Sequence, residues 1–107
     1  MAEDIVVKLT ADFFKTLAHP ARIKIIRSLE KGERCVCEII EELDIEQSNL
    51  SQHLSVMKKQ GLIDSRKDGQ KVIYRIAYPS VLAVVGAAEK TLGEQIGDSQ
   101  SILKFLK

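Results

Sequence analysis

A chain of 107 residues and 12.0 kDa suits one domain, 1–107, long enough to bury a core without a disulfide or metal staple. Hydrophobic residues at 45% and charged residues at 29%, with a net charge of +1, exclude a disordered chain and give no whole-chain sign of a nucleic-acid partner. The longest apolar run, Val81 to Ala88, is too short to span a bilayer and no signal peptide opens the chain, so the expected address is the cytoplasm, with no membrane partner and with the two cysteines as thiols rather than a bridge.

The first predicted element is an N-terminal helix. Ile5, Val6, Val7 and Leu9 lie among polar neighbours, and Phe13, Phe14, Leu17 and Ala18 follow at helical spacing. Pro20 disfavours helical backbone at His19 and so interrupts this helix, while suiting the first position of the next. A second helix runs from Pro20 to about Leu29 on an Ile23, Ile26 and Leu29 stripe, and Lys31-Gly32 ends it. A short third helix is expected over Val36 to Leu43, with Ile39, Ile40 and Leu43 as its apolar side. Asp44-Ile45-Glu46 connects it tightly to a fourth, Gln47 to Gln60, closed by Gly61. Leu50, Leu54 and Met57 form the inward stripe of this fourth helix. Its opposite face, Ser48, Asn49, Gln52, Ser55 and Lys59, carries no carboxylate.

The period then changes from helical to two. Asp68-Gly69 between two strand-like runs predicts a hairpin, and Val72, Tyr74 and Ile76 alternate with Lys71, Ile73 and Arg75. A last helix covers Ser80 to Lys90 and continues toward Phe105, with Gly93 and Gly97 as candidate breaks. The fold class expected is mainly α with a β-hairpin wing: five helices, two strands and no second domain.

Charge is segregated along the chain. Residues 30–46 hold seven acids and two bases, a local −5, whereas residues 47–78 hold six bases and two acids, a local +4. Two short helices joined by a three-residue turn, the second with a polar outer face, form a helix-turn-helix pattern, and a basic hairpin directly after it makes a wing. A helix fits the major groove, where Gln and Asn pair with adenine and Ser serves several bases. Arg and Lys on a hairpin bind phosphates or enter the minor groove. An isolated polar helix face would be ordinary solvated surface. The turn, the spacing and the wing together favour double-stranded DNA as partner. A winged helix that only binds protein is the rival, and it would need neither a basic wing nor an acid-free outer face. No Ser/His/Asp arrangement, phosphate-binding glycine loop or HExxH motif is present, so no enzyme is expected.

Three stretches resemble the ArsR/SmtB family of winged-helix repressors: Leu17-Ala18-His19-Pro20-Ala21-Arg22, then Gln47-Ser48-Asn49-Leu50-Ser51-Gln52-His53-Leu54, then Gly61-Leu62 through Gly69 to Tyr74. The resemblance runs in order along almost the whole chain. It implies a homodimer built from the first and last helices, with recognition helices in successive major grooves of an inverted repeat. By that resemblance Gln47, Ser48, Asn49, Ser51 and Gln52 contact bases or phosphates, and Arg66, Lys67, Gln70 and Lys71 are the wing contacts. No cofactor is required.

Cys35-Val36-Cys37 sits at the start of the third helix. In the family, Cys-Val-Cys at this place marks sensors of arsenite, cadmium or lead, so the resemblance implies an inducer site at Cys35 and Cys37. A helix N-terminus favours thiolate, the form that binds soft metals and metalloids. Residues two apart on a regular helix point about 200° apart, so both sulfurs converge only if Cys35 lies outside the helix, near the N-cap, or if the turn distorts on binding. The site is incomplete: Ile40 stands where arsenic sensors often place a third cysteine, the N-terminal cysteines of the cadmium type are absent, and the last helix has no histidine for the zinc type. Thiol oxidation at the same pair is an alternative, as is plain packing, with Cys35 as N-cap and Glu38 completing a capping box. His19 is expected in local backbone contact, and His53 in packing or in a contact near DNA; neither is expected as a metal ligand.

Overall fold

The computed structural model describes residues 1–106, with side chains described as far as Gly97. In chain order the elements are α1 (Ala2–Leu17), α2 (Pro20–Leu29), β1 (Arg34–Cys35), α3 (Val36–Leu43), α4 (Gln47–Lys59), β2 (Ile63–Asp68), β3 (Lys71–Ile76) and α5 (Ser80–Leu106). The mainly-α winged helix-turn-helix is present. Helices α2, α3 and α4 enclose the core, and β2 and β3 form the wing.

The core follows from the helical stripes. Ile25, Ile26 and Leu29 of α2 meet Ile39 of α3 and Leu50, Leu54 and Met57 of α4, all buried, with Leu62 and Ile63 from the start of the wing. Burying such side chains contributes roughly 1.5–3 kcal/mol each. Val81 and Val85 seal the core from α5.

Three details depart from the sequence expectation. First, the wing carries a third, two-residue strand. Arg34 pairs with Tyr74 and Cys35 with Ile73, giving the antiparallel order β1-β3-β2. Second, the hairpin loop is Gly69-Gln70 rather than Asp68-Gly69. Asp68 still pairs with Lys71, and Gly69 takes φ +65, a left-handed value that glycine adopts without strain. Third, α5 runs unbroken through Gly93 and Gly97. A helical glycine costs about 1 kcal/mol relative to alanine, which Ala87, Ala88, Glu89, Lys90, Leu92 and Glu94 offset as good helix formers.

Most of α1 and the turns of α5 after Gly86, as far as Gly97, stand away from this body. Only Thr16 and Leu17 of α1 are buried. The Cα radius of gyration is 16.8 Å, against about 13 Å for a compact chain of this length. Ile5, Val6, Val7, Leu9 and Phe14 of α1 and Leu92 and Ile96 of α5 are large apolar side chains, each more than half exposed. Phe14, Leu17, Ala18, Ile23, Val84 and Leu92 line an apolar groove of about 290 Å³ between α1 and α5. Among the described residues no helix is long and apolar enough to cross a membrane.

Candidate functional site

Helix α4 is pinned from below and bare above. Leu50, Leu54 and Met57 are buried, while Gln47, Ser48, Asn49, Ser51 and Gln52 are all exposed on its first two turns. Its C-terminus is closed by two bonds. The Gly61 N–H donates to the Lys58 carbonyl at 3.0 Å and the Leu62 N–H to the Met57 carbonyl at 3.0 Å. This is a Schellman ending, which needs the left-handed φ of +80 that Gly61 adopts. It turns the chain directly into the wing, where Arg66, Lys67, Gln70 and Lys71 are exposed. The turn before α4 is Asp44-Ile45-Glu46, with Asp44 left-handed at φ 49.

Two of these residues have partners that the sequence did not reveal. Arg66 Nε donates to Glu33 Oε2 at 3.0 Å and Arg66 Nη2 to Oε1 at 3.3 Å, a two-point pair between β2 and the loop before β1. That hydrogen bond holds the Glu33 carboxyl below its usual range and raises the Arg66 guanidinium. The Ser48 hydroxyl donates to the carboxylate of Glu46, the N-cap of α4. The outer face of α4 is therefore acid-free within the helix but has one carboxylate at its rim.

His53 faces inward. It accepts at Nδ1 from Arg22 Nε, 3.0 Å away, and Arg22 Nη1 donates to the Thr16 carbonyl at 3.0 Å. Arg22 thus ties α4 to α2 and to the end of α1. Burial first, then the Arg22 guanidinium and His19, hold the His53 imidazole below its ordinary value. The His19 ring lies 5.9 Å from that of His53. The local backbone contacts of His19 come from its main chain. Its carbonyl accepts from the N–H groups of Arg22 and Ile23, and its side chain makes no cap bond.

The cysteines correct one expectation: Cys35 and Cys37 are joined in a disulfide rather than held as separate thiols. Cys35 has φ −78 and ψ 160, extended backbone at the N-cap of α3, so the 200° divergence of helical neighbours does not apply. The Cα atoms lie 5.4 Å apart, within bridging range. The capping box forms as well. The Glu38 N–H donates to Cys35 Sγ at 3.4 Å and the Cys35 N–H to Glu38 Oε1 at 3.0 Å. Once reduced, the same geometry brings two sulfurs together, which suits a thiophilic ion. Among the described residues no cluster of three or more His, Cys, Asp or Glu completes a metal site. Cys35 and Cys37 open on a cleft that reaches Gln47 and Ser51 of α4 and Lys71 and Tyr74 of β3.

Comparison with known proteins agrees with this architecture. The family profile described as "Bacterial regulatory protein, arsR family" matches residues 19–65. The chain is 40% identical over 108 residues to the HTH-type transcriptional regulator Rv0081 of Mycobacterium tuberculosis, covering 100% of this chain and 95% of that protein. The crystal structure of Rv0081 superposes with a TM-score of 0.81 at 42% identity, over 87% of this chain and 94% of that one. A Streptomyces lividans protein described as "Probable mercury resistance operon repressor" is 38% identical over 76 residues, 71% of this chain and 61% of its own length. The homodimeric winged helix-turn-helix DNA-binding domain Mb0332 of Mycobacterium bovis, solved in solution, has a TM-score of 0.80 at 26% identity, over 88% of this chain and 87% of that one. These relatives are regulators, not enzymes, and this chain belongs to the ArsR family of winged helix-turn-helix transcriptional regulators.

Proposed function

We propose that the chain is a homodimeric repressor, acting in the cytoplasm, that reads an inverted-repeat operator through α4 and steadies itself on phosphates through the wing. The observation that carries this reading is the bare, acid-free face of α4. Gln47, Ser48, Asn49, Ser51 and Gln52 stand exposed beside Arg66, Lys67, Gln70 and Lys71, with the core packed beneath. Residues 1–107 act as one DNA-binding domain with α1 and α5 as dimerisation helices. A two-fold axis through those helices would set two copies of α4 roughly 34 Å apart, one turn of DNA, or a multiple of that spacing.

Cys35 and Cys37 are the effector site in this reading. Reduced, they present two thiolates at a helix N-terminus, the donor type that arsenite and other thiophilic ions take. The description of the Streptomyces lividans relative as a mercury resistance operon repressor supports a thiophilic inducer. The observed disulfide favours a second reading, in which oxidation of the pair is itself the signal.

The test is reduced protein on the DNA upstream of its own gene, challenged in turn with arsenite, cadmium, zinc and a thiol oxidant. Affinity for DNA should fall steeply with salt through counterion release. Salt-insensitive association would instead support a protein-binding module. Release by arsenite or cadmium, abolished in Cys35→Ser, supports the metal reading. Release by the oxidant alone supports the redox reading. Release that persists in Cys35→Ser overturns both.

A further inference from the structure

The two bridged sulfurs are not equivalent. Cys35 is 3% exposed, and its Sγ accepts the Glu38 N–H at the start of α3, a setting that stabilises a thiolate. Cys37 is exposed and faces a cleft of about 490 Å³. That volume falls in the range of small-molecule sites. Ile40 of α3, Gln47 and Ser51 of α4, and Lys71 and Tyr74 of β3 line it. Lys71 is the one charged residue lining the cleft among those described, and no carboxylate lines it.

Thiol exchange needs an accessible sulfur to attack and a leaving sulfur that bears charge well. Here the attacked sulfur is Cys37 and the leaving sulfur is Cys35. We propose that this cleft binds an anionic low-molecular-weight thiol, which exchanges with the disulfide at Cys37. The inference deepens the redox reading of the same pair and rests on that pair being chemically active.

The step balances without an outside oxidant. The small molecule's thiolate attacks Cys37 Sγ, one sulfur–sulfur bond forms and the Cys35–Cys37 bond breaks. The electron pair of the broken bond leaves on Cys35 as thiolate, facing the Glu38 N–H. From the reduced pair, with a small disulfide as the oxidant, the Cys37 thiolate attacks that disulfide, forms the same mixed disulfide and expels the other half as thiolate. The body of the adduct then fills the space between the first turns of α4 and the wing, with its carboxylate toward Lys71.

Single-cysteine proteins isolate each sulfur, and serine at position 35 keeps a good N-cap. Reduced Cys35→Ser and Cys37→Ser proteins are mixed with glutathione disulfide, which is anionic, or cystamine, which is cationic. Adducts are followed by intact mass. The Cys35→Ser protein, which keeps Cys37, should gain one glutathione quickly, and the Cys37→Ser protein should resist. At matched reagent concentration and corrected for each reagent's intrinsic rate, glutathione disulfide should react roughly thirtyfold faster than cystamine, because one close unit pair in water is worth about fivefold and Lys71 attracts the anion and repels the cation. Adding Lys71→Glu should erase or reverse that preference, whereas Lys24→Glu, the same charge change on α2, should leave it. Equal rates at the two cysteines, or a preference indifferent to Lys71→Glu, overturn the proposal. An adduct that forms as stated while DNA affinity stays constant upholds the site and refutes oxidation as the signal.

Discussion

The proposed dimer makes a quantitative demand on Phe14. Its side chain is 55% exposed on α1, against the groove shared with α5. A phenylalanine presents about 200 Å², so roughly 110 Å² of this one is uncovered. Truncation to alanine removes about 75 Å² of apolar surface that a partner would bury, or about 2 kcal/mol per copy at ~25 cal/mol per Å². A two-fold axis counts the loss twice, so Phe14→Ala should weaken dimerisation by about 4 kcal/mol, close to a thousandfold in Kd. Ile5, Val6, Val7, Leu9, Leu92 and Ile96 bring the apolar surface available on these arms to roughly 600 Å² per protomer, near what a stable interface needs. Sedimentation equilibrium across nanomolar to micromolar protein reads the constant directly. Circular dichroism should show the helices retained, because Phe14 contributes little to the buried core. A monomeric wild-type chain at micromolar concentration, or an unchanged Kd in Phe14→Ala, would refute the reasoning.

Four further expectations concern DNA and pH. Gln52→Ala should cost about 1–3 kcal/mol of discrimination between operator and random duplex if the amide reads a base, measured as the ratio of the two affinities. Lys67→Ala should weaken every sequence alike and flatten the salt dependence by about 0.9 per lost phosphate contact. Glu33→Gln should do the opposite, since it frees Arg66 from its carboxylate for phosphate, and an unchanged slope there would place Arg66 away from DNA. The folded pKa of His53 lies below its unfolded value, so the folded state prefers the neutral ring. The stability it contributes is full above about pH 6.5 and is lost as pH falls through the lower folded value. Urea midpoints should drop from pH 7 toward pH 5. His53→Gln, which keeps an acceptor for Arg22, should remove that part of the drop; an identical profile in the variant would contradict it.

Local signals account for what the sequence showed. Stripes such as Leu50, Leu54 and Met57, the proline at the start of α2 and the glycine after α4 each act within one turn, so element type and order could be read from them. What stayed hidden was non-local. Strand β1 is two residues long and has no period; only its register against Ile73 and Tyr74 makes it a strand. The Glu33–Arg66 pair joins residues 33 apart in the chain and the Arg22–His53 bond residues 31 apart, although both partners of the latter lie in stretches that marked the family. Asp-Gly marks the hairpin to within one residue, and the pairing of Asp68 with Lys71 sets the loop itself at Gly69-Gln70. The 200° divergence of helical neighbours left two ways for the sulfurs to converge, Cys35 outside the helix or a distorted turn, and it is the first that holds, since Cys35 is extended.

That placement gives the thiol pair mechanical leverage on both α4 and the wing. Cys35 is at once a strand residue, paired with Ile73 in β3, and the cap of α3. Helix α3 has little slack, since Ile39 is fully buried in the core and Asp44-Ile45-Glu46 hands the chain to α4 within three residues. Opening the bridge or loading it therefore changes a residue whose backbone is bonded to the wing and whose side chain is bonded to the helix that precedes α4. The core resists compression because it is close-packed. A displacement at Cys35 must then be taken up at its soft edges, in the two-residue strand and the left-handed turn at Asp44. Either edge re-aims a surface on which Gln47, Gln52 or Lys71 stands. Helix α4 is thus closed at its C-terminal end by the Schellman turn and joined at its N-terminal end, through the left-handed Asp44 turn, to α3, whose cap is the Cys35 sulfur.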